Sequence, residues 1–320
     1  MLKTRNYQYK SLYDLELSRK NRIGLSELKE GEKITIFSDS MFKTMFQNEN
    51  RLKYSAKLIS YYVDIDYEEL LKNIHLGKNE LDKKKKKNKG ERCDYVASIN
   101  NSTINIEVNN NANIKTLERN IEYAFRLFSK YVTEGKNKDQ YTQVIQLDIN
   151  NFSFQGNKNI VDVNAIQNKD GLLLTEKLIF IQIYVPNLIR KWYDLGKEKL
   201  EESEKFLLAL VLKDINISKE LGEGIEIMKE YIEEAQEVVL DDDLRQSYDK
   251  ELAMKEWGYD EGRIEGYSNG KLEGEKDKTI EIAKNMLKEK ETIEKISLYT
   301  GLSQEEIENI QKEQDSTSKF

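Results

Sequence analysis

The sequence predicts a mixed α/β core followed by an α-helical C-terminal module, and three patterns in the 320-residue chain support this prediction. A β-hairpin pattern over residues 93–108 lies between two segments of helical periodicity. Two further runs of β-forming residues, 141–149 and 177–185, follow the second helical segment. Beyond residue 240 the sequence becomes strongly charged and helical, and we therefore expect a separate module over 241–320.

The first predicted helix covers residues 38–62, where apolar side chains recur near helical spacing after a Ser38-Asp39 start. Its apolar positions are Met41, Met45, Leu52, Leu58 and Ile59. A second helical segment is expected at 67–74, and we expect the single histidine, His75, to be an ordinary polar residue at its end. The unbroken lysine run at 83–87 predicts either a solvated loop tip or a loop that contacts phosphates.

The hairpin pattern consists of two alternating β-rich runs joined by the turn residues Asn100-Asn101. In the second run Ile104, Ile106 and Val108 share one face, and Asn105, Glu107 and Asn109 share the other. If the turn has two residues, Asp94 lies opposite Glu107; if the loop is two residues longer, Asp94 lies opposite Asn109. Either register places Asp94 about 5 Å from this polar face.

The helix after the hairpin has a stripe of large apolar residues that we expect to be buried: Leu117, Ile121, Phe125, Phe128 and Val132. Residues 141–149 and 177–185 then predict strands, and residues 187–257 are helical in pattern. The resulting order of helix, two strands, helix and strand predicts a mixed α/β core.

Glycine recurs at every fourth position of the C-terminal module, from Gly258 to Gly274. On a helix these residues form a narrow stripe that another helix can approach closely, although each glycine costs about 1 kcal/mol relative to alanine. The stripe predicts either homo-oligomerisation through this module or a weakly stable linker helix. Short helices at 280–287, 293–299 and 303–310 are expected around Gly301, with a helix-turn-helix appearance whose acidity disfavours binding in a DNA groove.

The composition excludes several kinds of chemistry. Cys93 is the single cysteine, so neither an internal disulfide nor a cysteine-based zinc site is available, and we expect a packing role for it in the reducing cytoplasm. His75 is the single histidine, which excludes a pair of histidine metal ligands. We expect neither an export signal nor a membrane span, because the first twenty residues are polar and the longest apolar stretch, 178–189, is interrupted.

The negative charge of the chain is concentrated in the C-terminal module. The net charge is −7, and residues 241–320 carry 13 Lys/Arg against 21 Asp/Glu, which leaves residues 1–240 close to neutral. A near-neutral body can present a basic surface to a polyanion, whereas phosphates repel an acidic tail. This asymmetry favours two modules with different partners, nucleic acid for the first and protein for the second.

Asp94 and Glu107 are the residues that most directly indicate a catalytic site. Two carboxylates held side by side repel each other, and a divalent cation would resolve this conflict. Mg²⁺ is bound by one or two carboxylates together with water and phosphate oxygens, so the pair fits half of a metal site for phosphodiester hydrolysis. Asp39 is the leading candidate for a third acid. The alternative is an exposed hairpin whose acids face water.

Four segments together resemble the PD-(D/E)XK nuclease family transposases, also called the recombination-promoting nuclease (Rpn) family. The segments are Ser38-Asp39-Ser40-Met41-Phe42-Lys43-Thr44-Met45-Phe46, Glu91-Arg92-Cys93-Asp94-Tyr95-Val96, Ile104-Asn105-Ile106-Glu107-Val108-Asn109 and Glu118-Arg119-Asn120-Ile121-Glu122-Tyr123. The C-terminal glycine repeat and the segment from Ile282 to Ser303 are similar to that family as well. The resemblance runs from about residue 35 to the end, and it implies an N-terminal extension over 1–34 and a nuclease-like domain over 35–240.

The resemblance implies a restriction-endonuclease-like core that cuts DNA with Mg²⁺ or Mn²⁺. By its motifs, Asp94 and Glu107 are metal ligands and Asp39 is the acid of the first helix. Asn109 stands where related nucleases have Lys and this family usually has Gln. A lysine there helps to deprotonate the attacking water, whereas asparagine can only orient it by hydrogen bonds.

Lys43, Arg119 and Tyr123 match the family pattern as candidate substrate contacts, with Arg119 and Tyr123 one helical turn apart. An alternative for these two is that they are ordinary surface residues of the helix, with Tyr123 half-buried. Two functions follow for the whole chain: a metal-dependent DNA endonuclease that promotes recombination- or transposition-type breakage, or a catalytically degenerate descendant that binds DNA or protein. A purely structural helical assembly protein would explain the C-terminal module but not the hairpin acids.

Overall fold

The computed structural model describes residues 17–18, 26–79, 81, 92–110, 114–130, 143–154, 156–289 and 291–317. Within these ranges the side chains of 17–18, 114, 130, 256–277 and 312–317 lie outside the description. The chain divides into two compact units, Met1–Leu252 and Ala253–Phe320, which are described separately. The predicted division into 1–34, 35–240 and 241–320 stays a prediction, and the lysine run at 83–87 lies outside the described residues.

The larger unit is built on a six-stranded mixed sheet, which confirms the predicted α/β class. The strands found among the described residues are β1 Leu17–Ser18, β2 His75–Leu76, β3 Tyr95–Ile99, β4 Ser102–Asn109, β5 Gln143–Asn150, β6 Ser153–Phe154, β7 Val161–Ala165 and β8 Leu178–Tyr184. The sheet order is β2-β3-β4-β5-β8-β7, and β1 pairs with β6 in a separate two-stranded sheet. β4, β5 and β8 run parallel, while β3 pairs antiparallel with β4, and β7 with β8.

Eleven α-helices are assigned in the described part of the chain. They are α1 Asp39–Phe46, α2 Leu52–Ser60, α3 Tyr67–Asn73, α4 Ile114–Lys130, α5 Val185–Leu195, α6 Glu202–Val211, α7 Ile215–Leu221, α8 Glu226–Val238, α9 Asp242–Lys288, α10 Ile293–Thr300 and α11 Gln304–Thr317. None of the described helices combines the length and apolar character needed to span a membrane.

The predicted helix over 38–62 is divided into α1 and α2. The Ser38 side chain accepts a hydrogen bond from the Met41 N–H, so the predicted start is confirmed. The break follows Gln47, where Asn48 accepts a hydrogen bond from the Asn50 N–H and begins a short 3₁₀ turn. A local side-chain acceptor there competes with continuation of the helix.

The two faces of the central strand β4 contact different layers. Ile104 and Ile106 belong to the main apolar core, which also contains residues of α1, α2, α6 and α8. The opposite face carries Asn105, Glu107 and Asn109, all buried. This face lies on the side of the sheet that α4 covers, because residues of α4 share an apolar cluster with Val96 of β3. The predicted separation of apolar and polar faces is confirmed.

Two predictions from helical periodicity are wrong. The α4 stripe was expected to include Phe125, which is 44% exposed; the face that packs on the sheet instead consists of Leu117, Asn120, Tyr123, Ala124 and Leu127. Polar Asn120 is buried within this face because it meets polar side chains of the sheet. The second correction concerns His75, which does not end a helix: α3 ends at Asn73, and His75 begins the short edge strand β2.

The smaller unit has its own apolar core, formed by Ala283, Ile296, Ile307 and Ile310. Gly301 ends α10 with φ +74, a backbone conformation that favours glycine. The short helix predicted at 280–287 is instead the end of the continuous helix α9, whose backbone also includes the five repeated glycines. Because side chains over 256–277 lie outside the description, the choice between oligomerisation and a linker stays open.

Candidate active site

The two hairpin acids, Asp94 and Glu107, lie side by side. β3 and β4 pair in the register of a two-residue turn, with Asn100 at φ +49, so of the two predicted registers the one that sets Asp94 opposite Glu107 is observed. The Asp94 backbone N–H donates to Glu107 Oε1 at 3.0 Å, and the Val108 N–H donates to Asp94 Oδ2 at 3.0 Å. The hairpin backbone therefore holds one oxygen of each carboxylate.

Electrostatics raise the pKa of both acids in the absence of a cation. Burial raises the pKa of Glu107 well above its ordinary value, and the charge of Asp94 raises it further. Burial also raises the pKa of Asp94; the Val108 hydrogen bond opposes this rise, and the charge of Asp39 adds to it. A positive ion bound between these groups would remove the conflict.

A pocket of about 290 Å³ opens beside Asp94. Asp39, Asp94, Asn109 and Arg119 contribute polar side chains to it. Asp39 lies in the first turn of α1, is about half exposed, and forms an ion pair with Lys43 at 2.5 Å. The structure thus brings the acid of the first helix to the same pocket as the hairpin.

The start of α1 is held by Glu251 from the beginning of α9. The Glu251 carboxylate accepts hydrogen bonds from the backbone N–H groups of Asp39 and Ser40, at 3.1 and 2.7 Å, and from the Ser40 hydroxyl. A carboxylate in this position satisfies free N–H groups and interacts favourably with the helix dipole. It also fixes the backbone that carries Asp39.

Arg119 and Tyr123 of α4 lie together over the site. Arg119 Nη2 is 3.9 Å from Glu107 Oε2, and its guanidinium group lies 5.5 Å from the centre of the Tyr123 ring. Tyr123 is buried, whereas Arg119 is about half exposed. Arg119 therefore rests on an aromatic support and keeps an exposed side toward the pocket, where it can meet an anionic substrate.

Asn109 lines the pocket, but hydrogen bonds engage both ends of its amide. Its Nδ2 donates to Asn150 Oδ1 at 2.9 Å, and its Oδ1 accepts from Asn120 Nδ2 at 3.1 Å. One N–H and one oxygen lone pair remain for a water molecule or substrate. The role predicted for Asn109 in orienting water is compatible with this arrangement.

The sequence interpretation missed Asp148 of β5, a fully buried acid paired with Glu107 in the parallel register. Burial raises the pKa of Asp148 to about 6, and hydrogen bonds from Gln146, Gln182 and Asn120 oppose the rise. The available signal was the polar alternation of Gln146, Asp148 and Asn150 in a predicted strand, which indicates a polar face on this strand as on β4.

The donor chemistry fits a divalent cation, although no group of three His, Cys, Asp or Glu residues close enough to share an ion is found among the described residues. Asp94 Oδ1 accepts no hydrogen bond from any described residue, and Glu107 Oε2 has only the distant Arg119. Two carboxylates with one uncommitted oxygen each, next to a polar pocket, suit Mg²⁺ or Mn²⁺ bound together with water and substrate oxygens.

The fold and site have the arrangement that the resemblance implies for a restriction-endonuclease-like core: a hairpin with paired acids, an acid on the preceding helix, and a parallel strand beyond the next helix. A family model described as "PD-(D/E)XK nuclease family transposase" matches residues 36–257. This match covers more than half of the chain, and the chain belongs to that family. A search of curated proteins and a search of solved structures gave no match.

Proposed function

We propose that this protein is a metal-dependent endonuclease that hydrolyses DNA phosphodiester bonds and so promotes recombination- or transposition-type DNA breakage. The observation that carries the proposal is the Asp94–Glu107 pair, two carboxylates held side by side in the hairpin, with Asp94 lining a pocket that also receives Asp39 and Arg119. Membership of the nuclease family supports it.

Each residue has a distinct part in the proposed reaction. Asp94 and Glu107 hold Mg²⁺ or Mn²⁺, with Asp39 completing the ligand set directly or through water. When bound, the cation stabilises charge on the phosphate and lowers the pKa of the attacking water. Asn109 orients that water through its free N–H or lone pair. Arg119 binds a phosphate oxygen, Tyr123 supports Arg119, and Lys43 is a further substrate contact.

Cleavage of supercoiled plasmid tests the proposal. Wild-type protein is compared with Glu107→Gln and Asp94→Asn in Mg²⁺, Mn²⁺ or EDTA. We expect metal-dependent nicking by the wild type and loss of about 100-fold or more in each variant, because removal of one metal ligand weakens both metal binding and water activation.

Asp162→Asn is the matched control. Asp162 lies on β7, where its carboxylate accepts hydrogen bonds from Asn157 and Asn159, and it does not line the pocket. The same change of charge there should leave nicking within about twofold of wild type. Nicking that persists in EDTA, or in both hairpin variants, would refute the proposed metal site.

The second candidate function is a catalytically degenerate nuclease fold that binds DNA or protein. Asn109 favours it, because asparagine cannot supply the charge of a lysine and its amide is already bonded at both ends. A wild type that binds DNA in a mobility-shift assay but cleaves none in either metal would support this candidate, and Asn109→Lys would then be the informative variant.

Homo-oligomerisation through the C-terminal helical module belongs to the same proposal. Light scattering of the full chain across a range of concentrations tests it, with a dimer or higher oligomer expected. A monomer at every concentration would favour the linker-helix alternative. Location in the reducing cytoplasm stays a prediction from the single buried Cys93.

A further inference from the structure

Five side chains beneath the pocket form a closed ring of hydrogen bonds. Asn120 Nδ2 donates to Asp148 Oδ1 at 3.0 Å and to Asn109 Oδ1 at 3.1 Å. Asn109 Nδ2 donates to Asn150 Oδ1 at 2.9 Å, and Asn150 Nδ2 donates to Gln182 Oε1 at 2.9 Å. Gln182 Nε2 closes the ring on Asp148 Oδ2 at 2.5 Å.

The charge of Asp148 fixes which group donates and which accepts in every hydrogen bond of this ring. An ionised carboxylate only accepts hydrogen bonds, so Asn120 and Gln182 must both turn their NH₂ groups toward it. The Gln182 oxygen then faces Asn150, whose own oxygen faces the NH₂ group of Asn109. The Asn109 oxygen is left to accept from Asn120. One buried charge therefore fixes which end of the Asn109 amide points in which direction.

A second branch runs from the same carboxylate to Glu107. Gln146 Nε2 donates to Asp148 Oδ1 at 2.7 Å, and Asn105 Nδ2 donates both to Gln146 Oε1 at 2.7 Å and to Glu107 Oε1 at 3.3 Å. The Asn105 oxygen is buried and has no hydrogen-bond partner among the described residues. The two acceptors on its NH₂ side therefore set its orientation, although this leaves the oxygen unsatisfied.

We propose that Asp148 is a positioning residue that orients Asn109 through the amide ring and Glu107 through Gln146 and Asn105. This inference rests on the nuclease function proposed above. Asn109 has a short amide side chain, which acts on a water molecule only if its orientation is fixed. The ring supplies that orientation from inside the fold, where hydrogen bonds to a charge are strong.

Two matched substitutions separate the branches. Asn120 and Gln146 are both fully buried, and both donate to the same oxygen of Asp148. Asn120→Leu removes the direct link to Asn109 and leaves only the longer path through Gln182 and Asn150. Gln146→Met removes the link to Glu107, and the change of volume is small in either case. Each variant is the control for the other. Asp148→Asn disturbs both branches at their common acceptor.

The measurements are cleavage kinetics at pH 8 and Mn²⁺ binding to the DNA-free protein by titration calorimetry. We expect Asn120→Leu to lower kcat about tenfold, with KM and the Mn²⁺ Kd each within about twofold of wild type. We expect Gln146→Met to raise the Mn²⁺ Kd about tenfold, because Asn105, which donates to Glu107, loses the second acceptor that sets its orientation. Asp148→Asn should show both effects.

Several outcomes would overturn the inference: the same profile for Asn120→Leu and Gln146→Met, or an Asp148→Asn variant with wild-type kinetics and Mn²⁺ affinity. If Asn120→Leu does not fold, Gln182→Met breaks the same ring on its other side and replaces it. A wild type that cleaves no DNA refutes the nuclease proposal separately. The Mn²⁺ comparison then decides the inference, which fails if Gln146→Met and Asn120→Leu bind Mn²⁺ equally.

Discussion

Replacement of Glu107 by glutamine should stabilise the protein when no divalent metal is present. Glu107 is 1% exposed, and its pKa is raised by burial and by the charge of Asp94. The introduced amide keeps an oxygen for the Asp94 N–H and turns its NH₂ group toward the remaining carboxylate. The substitution therefore removes a repulsion while it retains the local hydrogen bond.

The size of this effect follows from the hairpin geometry. Two unit charges about 5 Å apart repel each other by about 3 kcal/mol at an effective dielectric constant of about 20. Arg119, 3.9 Å from Glu107 and about half exposed, offsets about 1 kcal/mol of this. We expect the free energy of unfolding to rise by about 1–2 kcal/mol and Tm by about 4 °C.

The effect should depend on pH in a defined direction. Because the folded-state pKa of Glu107 lies above its ordinary value of 4.5, the folded protein binds more protons than the unfolded chain between these two values. The wild type therefore loses stability as the pH rises through that window, and Glu107→Gln does not. In EDTA, urea unfolding should show little difference between the two proteins at pH 4.5 and a difference that grows as the pH rises.

Addition of Mn²⁺ at pH 8 should make the wild type more stable than Glu107→Gln, since only the wild type retains both ligands.

Glu234→Gln is a control in which we expect the stability to change in the opposite direction. Burial favours a higher pKa for Glu234, but hydrogen bonds from Arg51, Tyr54 and Lys53 lower it. Its loss should therefore destabilise the protein at pH 8. A Glu107→Gln variant that is less stable than wild type at pH 8 in EDTA would refute the reasoning.

Three further predictions concern groups outside the metal site. Burial lowers the pKa of Lys33 from 10.5 to about 7, so the unfolded chain binds more protons than the folded protein between these two values. The free energy of unfolding should therefore rise with pH in this range, and urea titrations should show that Lys33→Met removes the rise. Glu251→Ala removes the acceptor for the first N–H groups of α1 and should cost about 1 kcal/mol in urea unfolding, whereas an unchanged midpoint would exclude a capping role. Cys93 is buried, which raises the pKa of its thiol, so a thiol reagent should modify it only after denaturation, and rapid modification of the native protein would contradict its position in the core.

The parts of the site carried by local patterns could be predicted from the sequence. Alternation along β4 separated Ile104 and Ile106 from Glu107, and the Asn100-Asn101 turn signal limited the position of Asp94 to two registers. The choice between the registers required the backbone conformation of Asn100, which has a positive φ and closes a two-residue turn. The order of α1, β3, β4, α4, β5 and β8 followed from periodicity in the same way, whereas the edge strands β2 and β7 were not predicted.

The polar interior between the sheet and α4 could not be predicted, because it depends on tertiary contacts between residues that are distant in the sequence. Periodicity placed Phe125 on the buried face of α4 on the assumption that a buried face is apolar. The structure buries Asn120 there instead, since this residue hydrogen-bonds to Asn109 of β4 and Asp148 of β5. No local pattern links three residues from three elements, so both the orientation of α4 and the importance of Asp148 were missed.

The energetics of Asp94 and Glu107 bear on the choice between an active and a degenerate nuclease. A chain that needed only the fold would be more stable with an amide or an apolar side chain at either position, because two adjacent carboxylates, one buried and one partly buried, destabilise the metal-free protein. Violations of stability rules of this kind are expected at functional sites. The Asp148 carboxylate is held by three amide donors, whereas Asp94 and Glu107 also feel the charges of Asp39 and Asp148, so the repulsion is largest where a cation would relieve it. A degenerate fold gives no physical reason to keep that repulsion, whereas metal binding does.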